Sequence, residues 1–254
     1  MIVAKLANII IQGVVIMIVT STEMQNNFGK YLNLAVKEDI IITKNGRTIA
    51  VLKSYEDKHK VKEDSAAYHA GRKRVTYEEF LKITEESNER YEYIDGELYL
   101  LVSPKTTHQK TLMELSGIFY NFFKGKKCTP MMSPYDIRLK KHEKDINVVQ
   151  PDLMVICDLE ENLGEDDYYH GIPTLVVEII SDSTRSKDYI RKLDLYMSCG
   201  VQEYWIVDPL NHQIHVYFFN DKDIKTNRTY TENDMVASFC FKDLTLKAKD
   251  IFLL

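Results

Sequence analysis

The chain has 254 residues, 44% of them apolar and 28% charged, with a formal net charge of −5. This is the balance of a soluble globular protein of one large domain, or of a small domain joined to an ordinary one. It excludes wholesale disorder, a collagen-like rod and a polytopic membrane protein. The net charge argues against a purely electrostatic nucleic-acid binder, but it conceals a split, because residues 1–74 carry +5 and the remainder −10.

In chain order, the stretch from Leu6 to Val19 is almost wholly apolar, interrupted by Asn8 and Gln12. It is shorter than the ~20 residues of a membrane helix, and no small-x-small cleavage site follows it. Residues 1–16 therefore read as an apolar leader, either an upstream extension or a mis-set start before Met17, with an uncleaved signal as the second reading. Ser21 is placed to cap a helix whose inner face is Met24, Phe28, Leu32 and Ala35. Ile40 to Ile42, Asn45-Gly46 and Thr48 to Leu52 then read as a hairpin, since both turn residues tolerate positive φ. Residues 17–52 form a strand, helix and hairpin, too small to be stable alone and expected to dimerise or dock. Residues 53–74 are charged and lack apolar periodicity, as in a linker or a helix that orders on contact.

From Thr76 the pattern resumes. Thr76 and Glu79 make a capping box for a short helix. Tyr91–Ile94 and Leu98–Val102 flank Asp95-Gly96 as a second hairpin. His108 to Phe123 is an amphipathic helix with Leu112, Leu115, Phe119 and Phe122 inward. Strands follow near Tyr135–Leu139, Leu153–Ile156 and Leu175–Ile180. A helix over Lys187–Cys199 closes at Gly200, and strands return at Tyr204–Val207 and His215–Phe219. The order is that of a mixed α/β domain. The four scattered cysteines, Cys128, Cys157, Cys199 and Cys240, read as reduced thiols of a cytoplasmic protein. His212 and His215 have nothing nearby in sequence to complete a zinc site.

Two carboxylates carry the chemical signal. Asp152 opens an apolar strand, and Glu178 lies inside another. A charge in such a run is costly unless it is paired or bound to a metal. Two acidic groups on neighbouring strands suit Mg²⁺, which takes oxygen ligands and keeps several waters, and such an ion promotes in-line displacement at phosphorus. An edge carboxylate paired with lysine or arginine explains the same pattern equally well. Asp188 and Lys192 share a helix face at i,i+4. Lys192 could face the carboxylates, although an ordinary surface pair accounts for the spacing more simply.

The segments "QPDLMVICD", "PTLVVEIISDSTRSKDYIRKLDLYMSCGVQEYWIVDP" and "ERYEYIDGELYLLVSPKTTHQK" resemble the restriction-endonuclease family often called Uma-two, within the PD-(D/E)XK nuclease superfamily. The resemblance covers residues 75–254. It implies an αβββαβ core, a Mg²⁺ (or Mn²⁺) ion held by Asp152 and Glu178, and hydrolysis of phosphodiester bonds in nucleic acid, with DNA the expected substrate. The superfamily lysine position is occupied by Ile180; Lys192 matches the displaced lysine of this family, and His108 and Glu92 match its recurrent polar positions. The segment "MIVTSTEMQNNFGKYLNLAVKEDIIITKNGRTIAVLKS" resembles the Phd/YefM antitoxin family. That implies a homodimeric DNA-binding module, with Lys30, Lys44 and Arg47 as candidate phosphate contacts, each equally readable as a solvated surface charge. Two functions follow: a metal-dependent endonuclease fused to an antitoxin-like module, or a catalytically inactive DNA-binding regulator of toxin–antitoxin type. In the first, the linker at 53–74 is placed to fold over the nuclease cleft in cis.

Overall fold

The structure is a computed structural model that describes residues 7–11, 14–35, 40–44, 47–52, 73–181, 184 and 187–252. The chain forms two compact units, Met1–Asp64 and Ser65–Leu254.

The first unit is a four-stranded sheet in the order β1-β2-β3-β4, with β1 at Ala7–Ile11, β2 at Val14–Thr20, β3 at Ile40–Lys44 and β4 at Arg47–Leu52. Strands β2 and β3 are parallel, and helices α1 (Ser21–Asn26) and α2 (Phe28–Ala35) supply the crossover that such a pair requires. The N-cap is Thr20, not Ser21: its hydroxyl accepts from the Glu23 N–H at 3.1 Å. The expected single helix breaks at Asn27, which turns Phe28 out to 52% exposure and seats Tyr31 in the core with Val19, Met24, Ala35 and Ile40. Lys44 pairs with Arg47 across the hairpin, and the Asn45-Gly46 turn between them lies outside the described residues. So does residue range 53–72 of the charged linker, whereas Lys73–Arg74 form a short strand, β5, in the second unit.

The second unit opens with the capping box read from the sequence. Thr76 Oγ1 accepts from the Glu79 N–H, and Glu79 Oε2 accepts from the Thr76 N–H at 2.8 Å, worth about 1 kcal/mol to helix α3 (Tyr77–Glu86). Strands β6 (Tyr91–Ile94) and β7 (Glu97–Leu100) join through Asp95 and Gly96, both at positive φ, +51° and +79°, which matches the primed hairpin turn. With β9 (Ile137–Lys140) and β10 (Ile146–Val149) they make a five-stranded sheet ordered β5-β7-β6-β10-β9.

The larger sheet is ordered β15-β14-β13-β12-β11-β8. Its strands are β8 (Thr129–Met132), β11 (Leu153–Ile156), β12 (Leu175–Ile179), β13 (Glu203–Asp208), β14 (Gln213–Asn220) and β15 (Asp223–Thr231). Alternation along β12 divides its two faces. Leu175, Val177 and Ile179 pack with Leu153, Val155 and Trp205 against helix α4 (Thr106–Phe123), through Leu112, Leu115, Phe119 and Phe123. The Phe119 and Trp205 rings meet edge-on with centroids 5.7 Å apart, a geometry worth roughly 0.5–1.5 kcal/mol beyond area burial. Phe123 takes the deep position expected of Phe122, which is partly buried. On the other face, Val176 and Ile180 join Leu195, Tyr196 and Cys199 of helix α6 (Leu193–Cys199). Strands β12 and β13 are parallel, and their crossover runs through a turn of π-helix at Lys187–Lys192 and then α6. Gly200 ends α6 at φ +96°. Short helix α5 (Leu159–Asn162) and a two-stranded ribbon of β16 (Met235–Ala237) and β17 (Thr245–Lys247) complete the unit.

One sequence reading is corrected here. Cys128 and Cys157 are bonded as a disulfide, with Cα atoms 4.0 Å apart, while Cys199 and Cys240 are free thiols. The β8–β11 register pairs Thr129 with Ile156, so the next residue out on each strand faces its counterpart. A separation of 29 residues hides that pairing in the sequence.

Candidate functional site

Strand register assembles the site. Leu153 of β11 is opposite Val177 of β12 in an antiparallel pair. One step outward, Asp152 is set against Glu178, and Asp152 Oδ2 accepts from the Ile179 N–H at 2.8 Å. Glu178 shares the α6 face with Val176 and Ile180 and is only 4% exposed. Its Oε1 accepts from Lys192 Nζ at 2.7 Å and from the Tyr196 hydroxyl at 2.6 Å. Near the start of α4, His108 Nε2 lies 3.1 Å from Asp152 Oδ2. From the other sheet, fully buried Glu92 accepts from the Gln150 N–H at 3.1 Å and pairs with Lys192 through Oε1 at 2.8 Å. All five sequence-predicted residues of this cluster, Asp152, Glu178, Lys192, His108 and Glu92, therefore meet in the second unit. Lys44 and Arg47 are exposed on the hairpin of the first unit, and the Lys30 side chain lies outside the described residues.

Lys187 belongs to the cluster although its spacing concealed it. Its ammonium sits 2.6 Å from Glu92 Oε2. Residues 187 and 192 are five apart, about 140° apart around an α-helix. The wider π-turn, with its i→i+5 hydrogen bonding, brings them to the same side. Asp188, also buried, stands 3.9 Å from Lys192 Nζ. A lysine pair five apart next to an Asp at i,i+4 was the available sequence signal, but only a π-turn makes it meaningful. Ile180, which the resemblance would place at a lysine position, is 2% exposed within the core.

The electrostatics of the two glutamates diverge. Burial alone lifts the Glu92 carboxyl, but Lys187 and Lys192 overcome it and hold the group down at about 2. Glu178 is pushed up to about 8: burial dominates, Lys192 opposes it, and the nearby charges of Asp152, Asp188 and Glu92 add to burial. Burial pulls His108 down, yet its hydrogen bond to Asp152 and the charges of Asp152 and Asp188 lift it above the ordinary histidine value.

The donor set suits a hard divalent cation. Asp152 accepts both its side-chain hydrogen bonds on Oδ2, and Glu178 both of its own on Oε1. The second oxygen of each carboxylate thus takes no hydrogen bond among the described residues. No group of three His, Cys, Asp or Glu side chains among the described residues is arranged as a ligand set. Two carboxylate oxygens with water completing the shell are the usual Mg²⁺ arrangement. No helix among the described residues is long and apolar enough to cross a membrane.

Comparison with known proteins accords with this geometry. Residues 16–71 match the model of the Phd_YefM antitoxin of type II toxin–antitoxin systems. Two uncharacterized proteins of Synechocystis sp. are similar to the chain. One (slr1290) is 30% identical over 149 residues, 58% of this chain and 76% of the relative. The other (sll1609) is 25% identical over 144 residues, 56% of this chain and 80% of the relative. A crystal structure from Anabaena variabilis, described as a "putative nuclease belonging to DUF820", superposes with a TM-score of 0.57 at 20% identity, covering 70% of this chain and 97% of that one. At that identity it shows a shared nuclease-like fold. Residues 77–249 match the family model Uma2, described as "Putative restriction endonuclease", and the chain belongs to that family.

Proposed function

We propose that the second unit is a divalent-metal-dependent endonuclease that hydrolyses phosphodiester bonds, with DNA as its substrate. The observation that carries this reading is the juxtaposition of Asp152 and Glu178 on adjacent strands. Each keeps one oxygen without a hydrogen bond among the described residues, and a lysine ammonium lies 2.7 Å from Glu178. Asp152 and Glu178 would hold the cation, which supplies a Lewis acid and a more acidic water beside the phosphate. The remaining steps fall to the chain itself. His108 and the Ile179 N–H hold Asp152 by Oδ2, leaving Oδ1 without a hydrogen bond among the described residues. Lys192 sets the orientation of Glu178 and brings positive charge to a site where negative charge develops on phosphate. Glu92 fixes Lys192 and Lys187 together and, being ionised, helps hold the Lys192 ammonium charged.

Incubating the full chain with plasmid DNA, with and without Mg²⁺ or Mn²⁺, against an Asp152→Ala control tests the reading. Metal-dependent nicking confined to the wild type is expected; equal nicking by the variant would refute it.

The first unit is assigned to dimerisation and operator DNA binding, with Lys44, Arg47 and Lys30 at phosphates, and residues 53–74 to inhibition of the nuclease in cis. Faster cleavage by residues 75–254 than by the whole chain is the expected outcome for that inhibition. Ile180 in the lysine position favours a second reading, a catalytically inactive regulator of toxin–antitoxin type. Under that reading, salt-sensitive operator binding survives Asp152→Ala and disappears when residues 17–52 are deleted.

A further inference from the structure

The carboxylate cluster holds two lysines, and their surroundings differ. Lys192 Nζ lies 2.7 Å from Glu178 Oε1, 2.8 Å from Glu92 Oε1 and 3.9 Å from Asp188 Oδ1, and its side chain is 3% exposed. An ammonium has three protons to donate. Three carboxylates surround this one, so it has no face to turn to a substrate.

Lys187 is placed otherwise. Among the described residues its ammonium makes one ion pair, with Glu92 Oε2 at 2.6 Å, and its side chain is 12% exposed. It also lies over the Tyr99 ring, 5.5 Å from the centroid, a contact that braces a cation without a directed lone pair. Two of its three N–H protons are therefore left to donate, on the more open of the two lysines. Its position is fixed from two sides. Lys187 belongs to the π-turn that leads into α6, and Glu92 to β6 of the smaller sheet. Glu92 takes one lysine on each carboxylate oxygen, so a single carboxylate separates Lys187 from the lysine that holds Glu178. A fixed, partly desolvated ammonium beside Asp152 and Glu178 suits charge that develops on a phosphoryl oxygen, because nothing need reorganise to meet it. Lysine serves phosphate as a point charge.

We propose that Lys187 is the catalytic lysine of the site: its ammonium contacts a non-bridging oxygen of the scissile phosphodiester, and Lys192 makes no contact with substrate but holds Glu178 and Glu92 in place. The assignment rests on the nuclease reading above. It moves the phosphate contact away from Lys192, the lysine singled out by the resemblance, to one that helical spacing had hidden.

The test uses the full chain with mixed-sequence DNA, offered as duplex and as single strand, in Ca²⁺ to hold cleavage in check. Lysines are acetylated with and without DNA and located by peptide mass mapping. Lys187 is expected to label in the free chain and to be protected by DNA, while Lys192 stays unlabelled in both. Fluorescence anisotropy over a salt series then compares the wild type with Lys187→Gln and Lys187→Arg. Loss of one phosphate contact in Lys187→Gln is expected to flatten the slope of log K against log salt by about 0.9 for duplex or about 0.7 for single strand, and arginine is expected to restore it. With Mg²⁺, plasmid nicking by Lys187→Gln is expected to fall about a hundredfold. A lysine that only braced Glu92 would leave the salt slope unchanged. That result, or labelling of Lys187 that DNA does not slow, overturns the assignment; if the glutamine variant fails to fold, the wild-type labelling decides alone. The two readings fail separately. Metal-dependent cleavage undiminished in Lys187→Gln removes the contact alone; protection of Lys187 without any metal-dependent cleavage by the wild type removes the nuclease alone.

Discussion

Two buried glutamates on neighbouring strands of the same sheet have opposite surroundings. Glu203 of β13 is fully buried, and its oxygens accept from the Trp205 Nε1–H, the Ser238 hydroxyl and the N–H groups of Phe239 and Cys240, at 2.6–3.0 Å. Four neutral donors saturate it, and it pins the 238–240 loop to the sheet. Glu178 of β12 receives its two hydrogen bonds on one oxygen, from a lysine and a tyrosine, and is crowded by other carboxylates. A buried carboxylate that is fully satisfied is a structural rivet. One that is half satisfied and surrounded by like charge holds capacity for a ligand.

The largest expected effect is at the ammonium that links the cluster. Lys192→Met leaves Glu92, Glu178 and Asp188 without their shared cation, and breaking a buried pair costs about 3–5 kcal/mol. A urea unfolding curve measures it, and a loss below 1 kcal/mol would contradict the pairing described. Glu203→Ala orphans four donors and is expected to cost about 3 kcal/mol, with no change in any stabilisation by Mg²⁺. That second clause separates rivet from site.

Proton linkage sharpens the contrast. The Glu178 carboxyl keeps its proton up to about 8 in the folded chain against an ordinary 4.5. Unfolding therefore releases a proton in that window. Without divalent cation, the contribution of Glu178 to stability is fully present below about 4.5 and falls as pH rises toward 8, by at most about 1.4 kcal/mol per pH unit. Glu178→Gln should flatten that slope. Glu92, held down at about 2, contributes in the opposite sense: its stabilisation is present above 4.5 and is lost as pH falls toward 2. The smallest effect is that of the cation itself. At ten times its dissociation constant, Mg²⁺ should raise wild-type stability by about 1.4 kcal/mol, readable as a thermal shift. The shift should be absent in Asp152→Asn and Glu178→Gln and intact in Glu203→Ala.

Much of the second unit was legible in the residues. The Thr76/Glu79 box and the Asp95-Gly96 turn are local devices whose geometry follows from short-range sterics and hydrogen bonding, and both formed as read. Asp152 and Glu178 stood out because a charge in an apolar run demands a reason. Strands β8 and β10 escaped notice: Thr129–Met132 includes Pro130, and Ile146–Val149 includes buried Asn147, so neither has a clean apolar pattern. Asn147 is tolerated there because its Oδ1 accepts from the Asp95 N–H across the sheet.

The sequence by itself determined the elements whose causes are local: caps, turns, the amphipathic face of α4, and the two acidic positions. Tertiary structure alone decided what those positions face. Register across β11 and β12 set Asp152 against Glu178, the same kind of register joined Cys128 to Cys157, and the π-turn brought Lys187 beside Lys192. Each is a relation between residues distant in sequence or in helical phase. Strand pairing and helix winding settle such relations by minimising exposed apolar surface and unpaired charge over the whole unit, a sum that no short window of the chain contains.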